Sequence, residues 1–214
     1  MKPYKQTSKL FFDKYVNKIS IINVLALEFR SKDIVRAEDQ IKAIASQIEK
    51  SPDGRVQLRS WRKQYVTVAD IMYISKIVEI LRNEKDYCLR VESSTLGVYT
   101  NDDTIIDSIQ KLGSVYEISK PANDKVRAFL LANPNSIISK QYTHKYKVTV
   151  NALRDSSESF HSWAEKLPSI KLLKRTYYAE GYFYAANEKT LGMCKIFLGN
   201  KIRRVDEMYL LSEI

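Results

Sequence analysis

Residue types that build catalytic and structural centres are scarce in this sequence. Its 214 residues include two cysteines, Cys88 and Cys194, and two histidines, His144 and His161. Two cysteines are too few for a disulfide framework or a cysteine-based zinc site, so we expect both to be small core residues in a reducing compartment. Two histidines are too few for a histidine-rich metal centre. We therefore expect neither a metal nor a cofactor.

Glycine-rich loops and long apolar runs are also missing. The chain has six glycines and contains no Walker A loop, dinucleotide fingerprint, His-Glu-x-x-His motif, EF-hand loop or Gly-x-Ser-x-Gly elbow. We therefore lean towards a protein that is not an enzyme. The most apolar run, residues 19–27, is far shorter than the ~20 residues of a membrane helix. No apolar region follows the basic N-terminus, so we expect no secretory signal, no membrane contact and a cytoplasmic or virion-associated location.

Positive charge and tyrosine are abundant. The chain carries 35 Lys and Arg against 25 Asp and Glu, a net charge of +10, and has 14 tyrosines against 7 phenylalanines. A composition of 44% hydrophobic and 28% charged residues is typical of a globular protein. The length predicts one large domain or two small ones.

Two stretches of the chain resemble each other. Residues 101–113 and 187–199 share Asn, Thr, Leu and Gly at one constant offset. Each stretch reads as a short helix with an N-capping Asn, Asn101 or Asn187, and a glycine after its end. Segments rich in aromatic and β-branched residues, typical of strands, flank both helices.

These elements predict two copies of a β-α-β-β-α-β unit. We expect an α+β protein with tandem ferredoxin-like domains and antiparallel sheets. The predicted domains are residues 1–120, with a β-α insertion at 51–85, and residues 140–214, joined by a linker at 121–139. The predicted strands are residues 10–22, 86–92, 95–100 and 115–119 in the first domain, and 141–151, 171–180, 182–185 and 201–208 in the second. The predicted helices are residues 37–50, 68–82, 124–131 and 156–167, in addition to the two repeated ones.

This tandem arrangement with a net positive charge is similar to the architecture of CRISPR repeat-processing endoribonucleases. The similarity is one of topology. The glycine-rich C-terminal loop of that family has no counterpart here, because Gly181 and Gly199 are isolated glycines. No catalytic histidine is carried over from the resemblance.

A basic aromatic strand is predicted at residues 55–65, inside the insertion. Strand geometry would place its cations and aromatic rings on one face, where they can contact phosphates and stack on bases. The alternative is a solvated edge strand that its charges protect from aggregation. The candidate binding residues are Arg55, Arg59, Trp61, Lys63 and Tyr65.

A second candidate segment spans residues 140–147. Alternation places Tyr142, His144 and Tyr146 on one face of the predicted strand, and Lys145 and Lys147 on the other. RNA-recognition modules stack bases on the aromatic residues of an open sheet face. His144 is also the one candidate for a general acid or base. The alternative is that the tyrosines are half-buried sheet residues and His144 is an ordinary surface residue.

A third candidate is a pair of strands rich in tyrosine and cations, residues 171–178 and 181–184. The pair would form a stacking platform, although central strands of any sheet require such β-forming residues. The candidate binding residues are Lys174, Arg175, Tyr177, Tyr182 and Tyr184.

We therefore expect a basic protein that binds RNA or single-stranded DNA, with RNA slightly preferred, and we include a phage or viral origin in this expectation. Lys and Arg would contact the backbone, and Tyr and Trp would stack on bases. One alternative is an interaction subunit of a virion, an assembly or a polymerase, because exposed aromatic and cationic residues also serve protein interfaces. The other is a metal-independent endoribonuclease that uses His144.

Overall fold

A computed structural model describes residues 4–58, 64–151, 157–172 and 181–214. The chain forms two compact units, Met1–Ala122 and Asn123–Ile214. Each unit combines helices with a five-stranded sheet, which confirms the α+β class. Among the described residues, no helix has both the length and the apolar character that crossing a bilayer requires.

The first unit has a sheet in the order β1-β7-β2-β6-β5 and a separate hairpin, β3-β4. Strand β1 runs parallel to β7, and the other pairs are antiparallel. A 3₁₀ helix, Val24–Ser31, follows β2. The strands are β1 (Tyr4–Gln6), β2 (Asn17–Ile22), β3 (Arg55–Gln57), β4 (Tyr65–Thr67), β5 (Tyr87–Glu92), β6 (Thr95–Thr100) and β7 (Val115–Lys120). The helices are α1 (Ile34–Glu49), α2 (Val68–Arg82) and α3 (Asp103–Lys111).

The second unit has a sheet in the order β10-β11-β9-β12-β8. Strand β8 runs parallel to β12, and the other pairs are antiparallel. Two short 3₁₀ helices, Gly199–Lys201 and Leu211–Glu213, flank β12. The strands are β8 (Ser136–Ser139), β9 (Tyr146–Val150), β10 (Ile170–Lys171), β11 (Gly181–Ala185) and β12 (Ile202–Leu210). The helices are α4 (Asp124–Ala132), α5 (Ser157–Ala164) and α6 (Glu188–Leu198).

The prediction of purely antiparallel sheets is wrong, because each sheet has one parallel pair at its edge. Strands β1 and β8 both precede the predicted repeat in the chain, and each lies beside the last strand of its unit. A strand of three or four residues has too short a pattern to be recognised from sequence. Residues 121–139, predicted as a linker, contain α4 and β8, and β8 pairs with β12.

Side-chain caps fix where several helices begin. Thr67 and Asp70 form a reciprocal capping box at the start of α2, and Asn187 caps α6 as predicted. The predicted cap Asn101 is wrong, since Asp102 caps α3 instead. The Asn101 side chain is engaged elsewhere, accepting from the Val16 amide at 3.0 Å and donating to the Lys14 carbonyl.

Two predicted strands are shorter in the structure: residues 10–22, of which β2 covers Asn17–Ile22, and residues 141–151. Of the predicted strand 55–65, the described ends belong to two paired strands, β3 and β4, with the Leu58 amide donating to the Gln64 carbonyl, and residues 59–63 lie outside the described part of the chain. The predicted strand 141–151 begins only at Tyr146. The predicted strand 171–180 is β10 at its start, and residues 173–180 lie outside the described part of the chain.

Each unit has its own hydrophobic core on one face of its sheet. In the second unit, Val148, Val150, Phe183 and Ala185 are fully buried and pack with side chains of α5 and α6. Phe129 of α4 contacts Tyr209 of β12. Because side chains alternate along a strand, Tyr209 lies on the same face of β12 as Val205, which packs against this core. We call this side the helix face.

Candidate nucleic-acid interface

The face opposite the helix face carries two tyrosines. Because Phe183 and Ala185 are buried in the core, strand alternation directs Tyr182 and Tyr184 to the other side of β11. Their rings lie 5.7 Å apart at 89°, in edge-to-face contact. Tyr182 is 37% exposed. We call this side of the second sheet the tyrosine face.

One row of residues crosses the tyrosine face in direct register. Lys171 of β10 is paired with Tyr184 of β11, and Tyr184 is paired with Lys147 of β9. Lys147 also lies over the neighbouring ring, with its Nζ 4.0 Å from the Tyr182 centroid. Tyr184 therefore lies between two lysines, and the side chain of each lysine is long enough to reach the tyrosine ring.

The row ends at a buried acidic residue, Asp206 of β12, which is paired with Lys147. Asp206 is completely buried, and the Nε of Arg204 lies 2.5 Å from its Oδ1. Arg204 also donates to the Pro134 carbonyl at 3.0 Å. Arg204 therefore pairs with this buried carboxylate at close range.

Burial raises the pKa of the Tyr184 hydroxyl, and the adjacent Tyr182 raises it further. The pKa of an unperturbed tyrosine is already about 10. Tyr184 therefore stays neutral across the physiological range, and its ring can stack on a base without adding negative charge to the face.

A groove of about 530 Å³ lies beside Tyr184. Lys171, Tyr184 and Met208 line it from the sheet, and Tyr142 and His144 line it from the segment before β9. The prediction that Tyr142 and His144 lie on a strand is wrong, because that strand starts after them. The chain leaves the sheet there, and this brings both residues next to Tyr184.

One ring nitrogen of His144 has no hydrogen-bond partner among the described residues. The Nδ1 atom lies 2.9 Å from the Thr143 hydroxyl oxygen. The Nε2 atom is buried, and no described group bonds it. Buried polar atoms in native proteins are normally paired, so this unpartnered nitrogen is a local cost of the packing around His144.

Two predicted residues, Lys145 and Tyr146, lie away from the tyrosine face. Lys145 forms an ion pair with Glu207 at 2.9 Å, and the hydrogen bond to this carboxylate raises the pKa of Lys145. Tyr146 packs against the core and lines a separate groove of about 420 Å³ next to α6.

The predicted pair Arg55 and Tyr65 lies on the β3-β4 hairpin of the first unit. The Arg55 guanidinium lies 4.9 Å from the Tyr65 ring centroid and forms an ion pair with Asp53 at 2.8 Å. The Asp53 contact raises the pKa of Arg55, which is therefore already bound to an acidic side chain. Six other predicted residues lie outside the described part of the chain: Arg59, Trp61, Lys63, Lys174, Arg175 and Tyr177.

The first sheet contains a row that matches the one on the tyrosine face. Lys18 of β2 is paired with Tyr99 of β6, as Lys147 is paired with Tyr184. Here the tyrosine is covered, because the rings of Phe11 and Phe12 lie 5.3 and 4.8 Å from the Tyr99 ring. Each sheet thus has a lysine paired in register with a tyrosine. In the first unit the tyrosine ring is covered by Phe11 and Phe12.

Sequence reasoning included Lys171 in the candidate stretch 171–178 without singling it out. It missed Met208 as a lining residue and missed the matching pair Lys18 and Tyr99. All four residues lie in segments with a strand pattern, but only the pairing between strands shows which of them lie side by side. Within the described residues, no group of three or more His, Cys, Asp or Glu side chains is arranged to hold a metal ion.

No protein-family model, curated protein or solved structure matches this chain. Function is therefore inferred from the chemistry of the tyrosine face.

Proposed function

We propose that this protein binds single-stranded nucleic acid, RNA in preference to DNA, on the tyrosine face of its second unit. The observation that carries the proposal is the register of Tyr184 between Lys171 and Lys147. Single-strand binders combine cations that follow the backbone with aromatic rings that stack on successive bases. The net charge of +10 favours a polyanionic partner through long-range attraction.

We further propose that the two units are tandem ferredoxin-like domains. Within each sheet, the four strands of the β-α-β-β-α-β repeat follow the same spatial order, fourth-first-third-second. The second domain then presents its third strand, β11, beside the central strand β9 on the tyrosine face. In this arrangement residues 51–85 are an insertion in the first domain.

Substitutions on the tyrosine face test the proposal. We expect Tyr184→Ala to weaken binding of a fluorescein-labelled oligouridylate of about 12 nucleotides by roughly 5- to 100-fold, the loss of one stacked base. Lys147→Ala and Lys171→Ala should each lower the slope of log affinity against log salt by about one, because each removes one phosphate contact. Fluorescence anisotropy between about 50 and about 300 mM salt measures both effects.

Matched controls come from residues away from the tyrosine face. Tyr116→Ala removes an exposed tyrosine from β7, and Lys195→Ala removes an exposed lysine from α6. Both should bind like the wild type. The proposal is wrong if the wild type shows no salt-dependent binding, or if the control variants lose as much affinity as the variants of the tyrosine face.

A denaturing gel of the same RNA, incubated in EDTA, separates binding from cleavage. We expect intact RNA. Cleavage that is lost in His144→Ala would instead indicate a metal-independent endoribonuclease.

A second candidate function, protein assembly, is favoured by an apolar patch on the outer side of α6. Ile196 is 88% exposed. The neighbouring Phe197 stacks on Trp163 of α5, with ring centroids 5.0 Å apart and an interplanar angle of 22°. Exposed aliphatic and aromatic groups in one patch are typical of a protein contact.

A further inference from the structure

We propose that the groove beside Tyr184 receives the terminal nucleotide of the bound strand, so that the protein binds single strands at a free end. This inference rests on the proposed function and adds to it which part of the strand is bound. A platform of cations and aromatic rings alone would bind a strand anywhere along its length, because every nucleotide offers a backbone charge and a base that can stack.

The two tyrosines of β11 form a path that leads to the groove. Tyr182 is paired with Thr149, and Tyr184, two residues further along β11, is paired with Lys147. Of the two tyrosines, Tyr184 is the one that lines the groove. A strand whose bases stack along this path therefore reaches the groove after Tyr184.

The loop between β8 and β9, residues 140–145, borders the groove on the side away from this path. Tyr142 of this β8–β9 loop lines the groove together with Tyr184 and Met208 of the sheet. Since Tyr184 belongs to the tyrosine face, the loop rises on that side of the sheet. A strand that follows the path therefore meets the loop beyond the groove.

Backbone hydrogen bonds anchor the β8–β9 loop just past the end of β11. The Lys145 amide donates to the Ala186 carbonyl at 3.3 Å, and the Met208 amide donates to the Lys145 carbonyl at 2.7 Å. The His144 ring packs so closely that its Nε2 is sealed from solvent. In the described part of the chain, the loop is therefore closed against the sheet at His144, and a strand that stays on the sheet has to end in the groove.

The size and lining of the groove suit one terminal nucleotide. Its volume of about 530 Å³ is within the range of sites that hold small organic ligands. Tyr142, Tyr184 and Met208 offer apolar surface to a base. Lys171, which is paired in register with Tyr184, offers a cation to the phosphate. No further nucleotide has to continue past the loop when the last one lies here.

The test compares a linear and a circular oligouridylate of about 60 nucleotides, several times the ~4–16 nucleotides that a single-strand binding domain covers. Both carry fluorescein on an internal uridine and are titrated by anisotropy at one salt concentration. The circle has no terminal nucleotide, so we expect it to bind roughly 5- to 100-fold more weakly, the loss of one stacked base. Native mass spectrometry should show a single protein on each linear strand.

A stable hairpin added to one end of the linear strand, or to the other, identifies the end that the groove receives. The hairpin at only one of the two ends should reduce the affinity to that of the circle. Tyr142→Ala should narrow the difference between the linear and circular strands, because it removes part of the apolar surface of the groove. Tyr116→Ala, the matched control, removes an exposed tyrosine of β7 and should keep the full difference.

Equal affinity for the linear and circular strands, or several proteins on one linear strand, overturns the end-binding site and leaves the proposed function standing. An equal effect of the two hairpins also overturns it. These results come from the wild type, so they decide the matter even if Tyr142→Ala does not fold. A folded Tyr142→Ala variant that keeps the full difference overturns the role of the groove. If neither strand binds in a salt-dependent way, the proposed function fails and the end-binding site fails with it.

Discussion

A tyrosine at the same position of the repeat has a different role in each unit, depending on what covers its ring. Tyr99 and Tyr184 hold matching positions on the third strand of each repeat, and both pair with a lysine. Tyr99 is almost completely buried, and burial raises the pKa of its hydroxyl. Its ring also lies against Gly97, where a Cβ would come within 3.1 Å of the Tyr99 ring. Tyr99 is a packing residue, whereas Tyr184 borders an open groove.

The two cysteines should differ in reactivity for a similar reason. Cys194 is completely buried in the core of the second unit, and burial raises the pKa of its thiol to about 11. The thiolate is the nucleophile, and at about pH 8 this thiol remains protonated. We expect iodoacetamide to modify the half-buried Cys88 in the native protein and Cys194 only after denaturation. Peptide mass spectrometry after timed quenching measures this. Equal rates for the two in the native protein would contradict the burial of Cys194.

At the scale of elements, the segment before β2 is held in a strained conformation over the first sheet. Phe12 and Asp13 have positive φ angles of 52° and 58°, a region that non-glycine residues rarely adopt. Phe11 pairs with Tyr15 in an isolated bridge that closes the segment. Tilted and edge-to-face contacts of Phe11 and Phe12 with the Tyr99 ring offset the backbone strain.

The strain predicts an unusual order of stability at position 12. Phe12→Ala loses the ring contact and keeps the strained φ, whereas Phe12→Gly loses the contact and relieves the strain. We expect the glycine variant to be more stable than the alanine variant by about 1 kcal/mol. Urea unfolding followed by circular dichroism measures the difference.

The matched control is Met72, which is exposed on α2. There the order should reverse, with glycine about 1 kcal/mol less stable than alanine. An alanine variant at position 12 that is as stable as the glycine variant would show that the backbone there is not strained.

At the scale of the whole molecule, the positive charge and the apolar patch on α6 favour different partners. A polyanion is attracted by the net charge of +10, and that attraction weakens as salt screens it. The patch around Ile196 and Phe197 would instead bury apolar surface against a second copy of the chain, and this association would persist in salt.

Light scattering on the protein without nucleic acid tests whether the patch on α6 mediates self-association. If the patch mediates assembly, the wild type should form a discrete dimer at about 100 μM, a concentration at which weak interfaces associate. Ile196→Asp should shift it to monomer without changing oligonucleotide affinity. A wild type that is monomeric at this concentration rules out the second candidate function in its homodimeric form.

Local pattern was sufficient where an element has a strong period and a clear boundary. The predicted bounds of α2 and β6, residues 68–82 and 95–100, are those of the structure. Apolar residues at helical spacing and a Thr-x-x-Asp cap define α2. Strands β1 and β8 escaped prediction because each is stabilised by pairing with a distant strand, and their own three or four residues show no distinctive pattern.

The sequence by itself determined the α+β class, the helices, the Asn187 cap of α6 and the concentration of tyrosine and lysine in strands. Only the tertiary structure decided which tyrosines share a face with which lysines. A strand with aromatic residues on both sides has two equivalent faces until helices cover one, so Phe183 enters the core and Tyr184 does not. Cross-strand register then places Tyr184 between Lys171 and Lys147. That register depends on hydrogen bonds between segments far apart in the chain, which no local pattern encodes.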